Sequence, residues 1–199
     1  KPQLPNLPAA FPAAGGTVSL DLFAQAKDAR DPVDQPIFGQ FAENRNHFFI
    51  RHVDSYDSAD GQKIGLQLGF QVNGLDRYLS VTRLDINANA WSNIQLSWNS
   101  QTHKIAIKLN GVAVPAAWRT VDGTSATAPI EWQASDQATG IGIRRNESMR
   151  NVRLLDAGGN ELWKAPAMDA ALNKAWYSFM DVVNGRIAVI EACPLVPPV

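Results

Sequence analysis

The chain has 199 residues, 45% of them apolar and 19% charged, and its 18 Lys and Arg against 19 Asp and Glu leave a net charge of -1. That length suits one domain whose core needs no disulfide or metal staple, and the composition excludes a disordered chain and a coiled coil. Balanced charge excludes a global electrostatic footprint for nucleic acid or an anionic membrane, and the single cysteine, Cys193, excludes an intrachain disulfide and a multi-cysteine zinc site.

Residues 1–16 carry Pro2, Pro5, Pro8 and Pro12 and read as an extended lead-in. No run reaches the roughly 18 to 20 consecutive apolar residues that span a bilayer. The chain begins at Lys1, as either a processed terminus or a trimmed boundary would, and its near-absence of cysteine suits an extracytoplasmic protein as comfortably as a cytosolic one; the expected location is secreted or periplasmic. A single folded domain is expected over 17–191, with a Pro-rich tail over 192–199.

Within that body the dominant period is two. Strands are expected over Thr17–Phe23, Ile37–Phe41 and His47–Val53. The clearest alternation is Ile64, Leu66, Leu68, Phe70 and Val72 against Gly65, Gln67, Gly69 and Gln71; Asn73-Gly74 then suits a tight hairpin turn, with Tyr78–Thr82 as the returning strand. A second unit follows the same logic. Ile94, Leu96 and Trp98 face one way, Asn99–His103 is a polar bend, and Ile105, Ile107 and Leu109 alternate with lysines and alanine before Asn110-Gly111 turns the chain. Residues 121–129 read as a loop, followed by strand segments at Ile130–Gln133, Ile141–Arg144, Asn151–Leu155 and Glu161–Trp163, the last two joined at Gly158-Gly159. Leu172, Ala175, Trp176, Phe179, Met180 and Val183 recur at helical spacing. The spacing predicts a helix over 169–184, capped by Asp169 and ended by Asn184-Gly185, with a short strand at Ile187–Ile190. The inter-sheet core is expected to hold Leu68, Phe70, Ile94, Leu96, Trp98, Ile105 and Ile107.

The run from Trp91 to Asn99, followed by Lys104 to Gly111, resembles the central hairpin of the concanavalin A-like and laminin G-like jelly-roll superfamily, in which a tryptophan opens one strand and an Asn-Gly turn closes the next. The resemblance covers Thr17 to Trp163. It implies an all-β, two-sheet antiparallel jelly-roll sandwich, to which the pattern reading adds the C-terminal helix. That superfamily includes lectins, adhesion modules, glycoside hydrolases and polysaccharide lyases, so the fold does not choose the activity. The Glu-x-Asp-x-x-Glu strand of its glucanases is absent, and Glu131 to Asp136 has the wrong spacing to replace it.

The function expected from the residues is therefore a non-catalytic domain binding carbohydrate or another surface ligand, a protein ligand included. The alternatives are a polysaccharide lyase-like enzyme and a structural module of a larger surface assembly. If Leu66 and Leu68 point inward, Gln67 and Gln71 point outward, and Asn93 and Gln95 likewise oppose Ile94 and Leu96. Amides match sugar hydroxyls, Trp91 can stack on a pyranose ring, and Arg51 can meet an acidic group, so these six residues form the candidate ligand set. The lyase alternative would gather Arg51, His52, Tyr78 and Gln67 on one sheet face. Asp54, Asp57 and Asp60 share one polar loop before Gly61 and form a candidate calcium site, with turn-forming roles as the plainer reading; no other cofactor is expected. Arg144, Arg145, Arg150 and Arg153 read as a solvated edge whose faces alternation divides.

Overall fold

The computed structural model describes residues 15–31, 35–39, 47–71, 78–99, 102, 104–116, 140–144, 146–164, 179–181 and 186–188. Among them every strand pairing is antiparallel, and the one helical element is a single 3-10 turn at Asp54–Tyr56. The first sheet contains β1 (Gly15–Phe23), β6 (Trp91–Asn99), β7 (Lys104–Leu109), β8 (Val112–Val114), β10 (Ser148–Asp156) and β11 (Glu161–Lys164), in the spatial order β11-β10-β1-β6-β7-β8. The second contains β2 (Pro36–Gly39), β3 (His47–His52), β4 (Lys63–Gln71), β5 (Tyr78–Asn87) and β9 (Gly140–Ile141), in the order β5-β4-β3-β2-β9. A separate hairpin pairs β12 (Phe179–Asp181) with β13 (Arg186–Ala188).

The chain changes sheet repeatedly. β1 belongs to the six-stranded sheet, β2 to β5 to the five-stranded one, β6 to β8 to the first again, β9 to the second, and β10 and β11 to the first. The crossing from β5 to β6 takes only Ala88, Asn89 and Ala90, with Asn89 at a φ of 58° and its N–H donating to the Ala24 carbonyl. Asparagine tolerates this left-handed conformation better than most residues, so the corner needs no glycine.

Alternation places one face of each long strand inward. Val18, Leu20 and Leu22 of β1, Ile94, Leu96 and Trp98 of β6, and Met149, Val152 and Leu154 of β10 meet Ile64, Leu66 and Leu68 of β4, Leu84 and Ile86 of β5, and Ile50 of β3. All belong to one apolar cluster, so the two sheets pack face to face over a shared core. Leu68, Ile94, Leu96, Trp98 and Ile107 are buried as expected, and Ile105 is half-buried against them. The side chain of Phe70 lies outside the described residues.

Several expected boundaries move. The return strand expected to stop at Thr82 continues as β5 to Asn87, because Leu84 and Ile86 extend the inward face opposite Leu66 and Ile64. β8 was not expected; Asn110 and Gly111, at φ of 50° and 80°, form the anticipated tight turn, and Val112–Val114 returns against β7. Of the expected 141–144 strand only Ile141 is in extended pairing, with Gly140 before it, as β9. Ile130–Gln133, Asn73-Gly74 and Cys193 lie outside the described residues. So do residues 169–178 of the expected helix, but Phe179–Asp181, assigned to its last turns, is strand β12. Phe179–Asp181 pairs antiparallel with Arg186–Ala188, so the stretch read as the end of the helix is strand.

Trp98 is 5% exposed, and it pairs with Ile105 and Gly16 on neighbouring strands. Trp98→Ala is expected to lower stability by about 3 to 5 kcal/mol, read from the denaturant midpoint, because no neighbouring side chain can refill an indole-sized void.

Candidate functional site

Among the described residues, polar side chains gather in a buried ionic network at one end of the sandwich and on the two outward sheet faces.

The buried network begins with parity on β3. Arg51 pairs with Gln67 and points outward, so its neighbour His52, opposite Leu66, points inward and is fully buried. There His52 Nε2 lies 2.9 Å from Glu147 Oε2, and neither side chain has exposed surface. Glu147 Oε2 also accepts the Arg144 backbone N–H at 3.1 Å, and Oε1 accepts that of Gln25 at 3.2 Å. The Arg144 side chain, 1% exposed, donates to Asp57 Oδ2 at 2.8 Å, Asp54 Oδ1 at 3.1 Å and the Gln25 carbonyl at 3.2 Å. Lys27 completes the network 2.7 Å from Asp54 Oδ2. His52 Nδ1 and Arg144 Nε are buried without a hydrogen-bond partner among the described residues. The network joins the end of β3, the 3-10 turn, the segment after β1 and the segment before β10. A dyad with no exposed atoms has no room for a substrate, so its chemistry is structural.

Arg144 is thus no solvated edge residue. A buried guanidinium needs several acceptors, and a planar fork between two aspartates and a carbonyl supplies them. The same contacts account for the aspartates grouped as a calcium loop. Asp54 and Asp57 turn toward Arg144, Asp57 Oδ1 also accepts the Gly65 N–H at 2.9 Å, and Asp60 Oδ1 accepts from the Ser58 hydroxyl at 2.5 Å and the Gln62 N–H at 3.0 Å. Among the described residues no three His, Cys, Asp or Glu side chains converge as an ion-holding group. Gly65 lets the turn sit there: a Cβ on it would fall 2.8 and 2.9 Å from backbone carbons of Tyr56.

On the outer face of the five-stranded sheet, Arg51 Nε and Nη2 donate to Gln67 Oε1 at 2.8 and 2.6 Å, and the same guanidinium lies 5.0 Å from the Phe49 ring centre. Gln71 is placed in β4 by its backbone; its side chain, like that of Tyr78, lies outside the described residues. The lyase-like grouping is parted by parity, because His52 faces the interior while Arg51 and Gln67 face out.

Trp91, Asn93 and Gln95 lie on the outer face of the other sheet, across the whole core from Gln67. The outward parity expected for the amides holds for Gln67, Asn93 and Gln95, but β4 and β6 belong to different sheets, so the candidate ligand set divides into two groups. Around Asn93 the structure adds partners. Asp21, opposite it on β1, accepts from Asn93 Nδ2 and Asn151 Nδ2, each at 2.8 Å, and from Arg150 Nε at 3.4 Å. The Arg150 guanidinium stands 3.9 Å over the Trp91 ring, which leans on Phe23 with centroids 5.5 Å apart. Thr17 and Ser97 share a hydroxyl hydrogen bond of 2.9 Å, and Gln95 faces Ser19 and Lys108 with no side-chain hydrogen bond among the described residues.

A β-bulge explains why this cluster was not legible. Ser19 pairs with Arg153 and Asp21 with Arg150, so Leu20 alone opposes Asn151 and Val152. Asn151 takes a φ of 53° and absorbs the extra residue. Simple alternation would send Arg150 and Arg153 to opposite faces; the bulge brings both outward and adds Asn151 beside Asp21.

Comparison with protein-family models and with curated protein sequences finds no match. Among the described residues no helix is long and apolar enough to cross a membrane.

Two consequences follow for the network. Arg144→Ala is expected to cost about 3 to 5 kcal/mol in urea denaturation, since it leaves two carboxylates without their shared cation, and Arg144→Lys should recover little of it because one ammonium cannot replace the fork. Burial raises the Asp54 carboxyl, but hydrogen bonding and charge from Lys27 and then Arg144 outweigh it, so its pKa lies below the ordinary 3.8. A depressed carboxylate contributes stability that is present above its unfolded value and lost as pH falls through the folded one. The stability gap between wild type and Asp54→Asn should therefore be full near neutrality and close as pH drops below 3.8, measured by denaturant midpoints across acid pH.

Proposed function

We propose that this chain is a non-catalytic jelly-roll β-sandwich, of the kind the concanavalin A-like and laminin G-like resemblance implies, that binds carbohydrate or another polar ligand on the outer face of its six-stranded sheet. The observation that carries the reading is the polar floor across β1 and β6. Thr17, Ser19 and Asp21 stand opposite Ser97, Gln95 and Asn93 in consecutive outward rows, Ser19 nearly covered by its neighbours and the others partly exposed, with Trp91 and Phe23 at one end. Hydroxyls and amides of this kind supply paired donors and acceptors at short spacing, as a polyhydroxylated ligand requires. Asp21 is already held in place by two amides and a guanidinium, so its oxygens are oriented before any ligand arrives, which lowers the entropic cost of binding. The alternation of the chain between two antiparallel sheets supports the jelly-roll part of the reading. Asp54, Asp57 and Asp60 act in it as turn-forming and ion-pairing residues, and no ion is invoked.

Titration with oligosaccharides followed by side-chain amide NMR tests the reading. Shifts should concentrate on Asn93, Gln95 and Asn151 and on the Trp91 indole, and Gln95→Ala should weaken binding by about tenfold, the effect of one or two lost hydrogen bonds. Gln67→Ala, on the opposite face, should leave binding unchanged; shifts confined to Gln67 and its neighbours would overturn the assignment.

A further inference from the structure

The same face carries a charge pattern that the near-neutral total conceals. Its exposed side chains include Arg150, Arg153 and Lys164 on one flank and Lys104 and Lys108 on the other. Cross-strand register aligns Lys164, Arg153, Ser19, Gln95 and Lys108 in a single row over β11, β10, β1, β6 and β7. Arg153 and Lys108 are three strand spacings apart, about 14 Å, with only a hydroxyl and an amide between them.

Arg153, Lys164, Lys104 and Lys108 have no ion-pair partner among the described residues. Asp21 is already bonded to Asn93, Asn151 and Arg150, and Glu161, the other acid on this face among the described residues, sits on the edge strand β11. Among the described residues a group of acidic side chains lies away from this face. Asp28, Asp31, Asp54, Asp57 and Asp60 all lie in the segments after β1 and β3.

We propose that the ligand of this face is an anionic polysaccharide, whose sugar hydroxyls bond the neutral floor while carboxylates or sulfates on successive residues meet the flanking cations. The inference rests on the binding reading above and names its ligand class. Single-stranded nucleic acid fits less well, since base stacking needs a free aromatic face and Trp91 is covered by Arg150, and duplex DNA, which needs only cations, is made an arm of the test. A membrane surface fits less well too: the exposed large hydrophobics among the described residues, Val112 and Leu162, stand on the edge strands β8 and β11.

Calorimetric titration with matched polymers tests it. Polygalacturonate is compared with its neutral methyl ester and dextran sulfate with dextran, which separates carboxylate from sulfate recognition, and duplex DNA is added as a third polyanion. At least one acidic polysaccharide should bind about tenfold or more tightly than its neutral counterpart and than DNA, and the advantage should shrink as salt screens the exposed charges. Replacing Arg153 and Lys108 together by Ser should weaken binding by about tenfold, as the loss of two exposed charge contacts implies. Lys63→Ser with Arg83→Ser, on the other sheet, should not weaken it. Lys104→Glu, at an exposed position in the row beside Asn99, gives an independent variant with the same expected loss. Equal binding of acidic and neutral forms overturns the ligand class but leaves the polar-ligand reading standing. Failure of all four polysaccharides overturns both. DNA binding as tight as the best polysaccharide overturns the choice of polymer, and an equal loss in the Lys63 and Arg83 variant moves the site to the opposite face.

Discussion

A β-strand has two faces, and in this chain one face of each long strand is committed to a single core shared by two sheets. Val18, Leu20 and Leu22 of β1 and Ile64, Leu66 and Leu68 of β4 lie in opposite sheets of that core, each essentially without exposed surface. Everything chemically interesting is displaced from there to two outer faces or to the ends. Side chains on β4 and β6 that alternate in the same way therefore finish on opposite sides of the protein, with the thickness of the core, about 10 Å between packed sheets, separating Gln67 from Gln95.

The ends of the sandwich solve a different problem. Where β3 stops and the chain leaves the sheet, apolar side chains no longer fill the space, and His52, Glu147 and Arg144 are buried instead. Burying such groups costs several kcal/mol per ion unless each charge finds acceptors or donors at once, and the chain supplies them from four separate segments. The network is consequently a weak source of net stability and a strong constraint on arrangement. It allows one placement of the 3-10 turn, the segment after β1 and the approach to β10, because any other leaves a buried charge unpaired.

That arrangement also divides the charge. With Asp54 and Asp57 drawn to Arg144 at one end, and Lys104, Lys108, Arg153 and Lys164 left without carboxylate partners among the described residues, the six-stranded sheet acquires a cationic outer face. The bulge at Asn151 contributes by setting Arg150 and Arg153 on the same face, beside the neutral row formed by Ser19 and Gln95. A cationic rim around a hydroxyl and amide floor is a property of the folded surface, produced by pairing register rather than by composition.

The β character, the antiparallel hairpins, the tight Asn110-Gly111 turn and the inward set Leu68, Ile94, Leu96, Trp98 and Ile107 were all determined by the sequence alone. Period-two hydrophobicity and positive-φ residues act over a few neighbours and read the same in any context. The outward parity of Gln67, Asn93 and Gln95 followed from it too. The tertiary structure alone decided which strands share a sheet, and hence that these amides lie on two faces. It also decided that Arg144 is buried rather than solvated, that Phe179–Asp181 is strand rather than helix, and that Arg150 and Arg153 stand together. Each of these depends on residues distant in the chain: a buried guanidinium is tolerable only where Asp54, Asp57 and Gln25 converge, and a bulge is defined only against the partner strand that lacks the extra residue. Local pattern carries no record of such partners, because strand pairing and burial are settled by contacts between segments many residues apart.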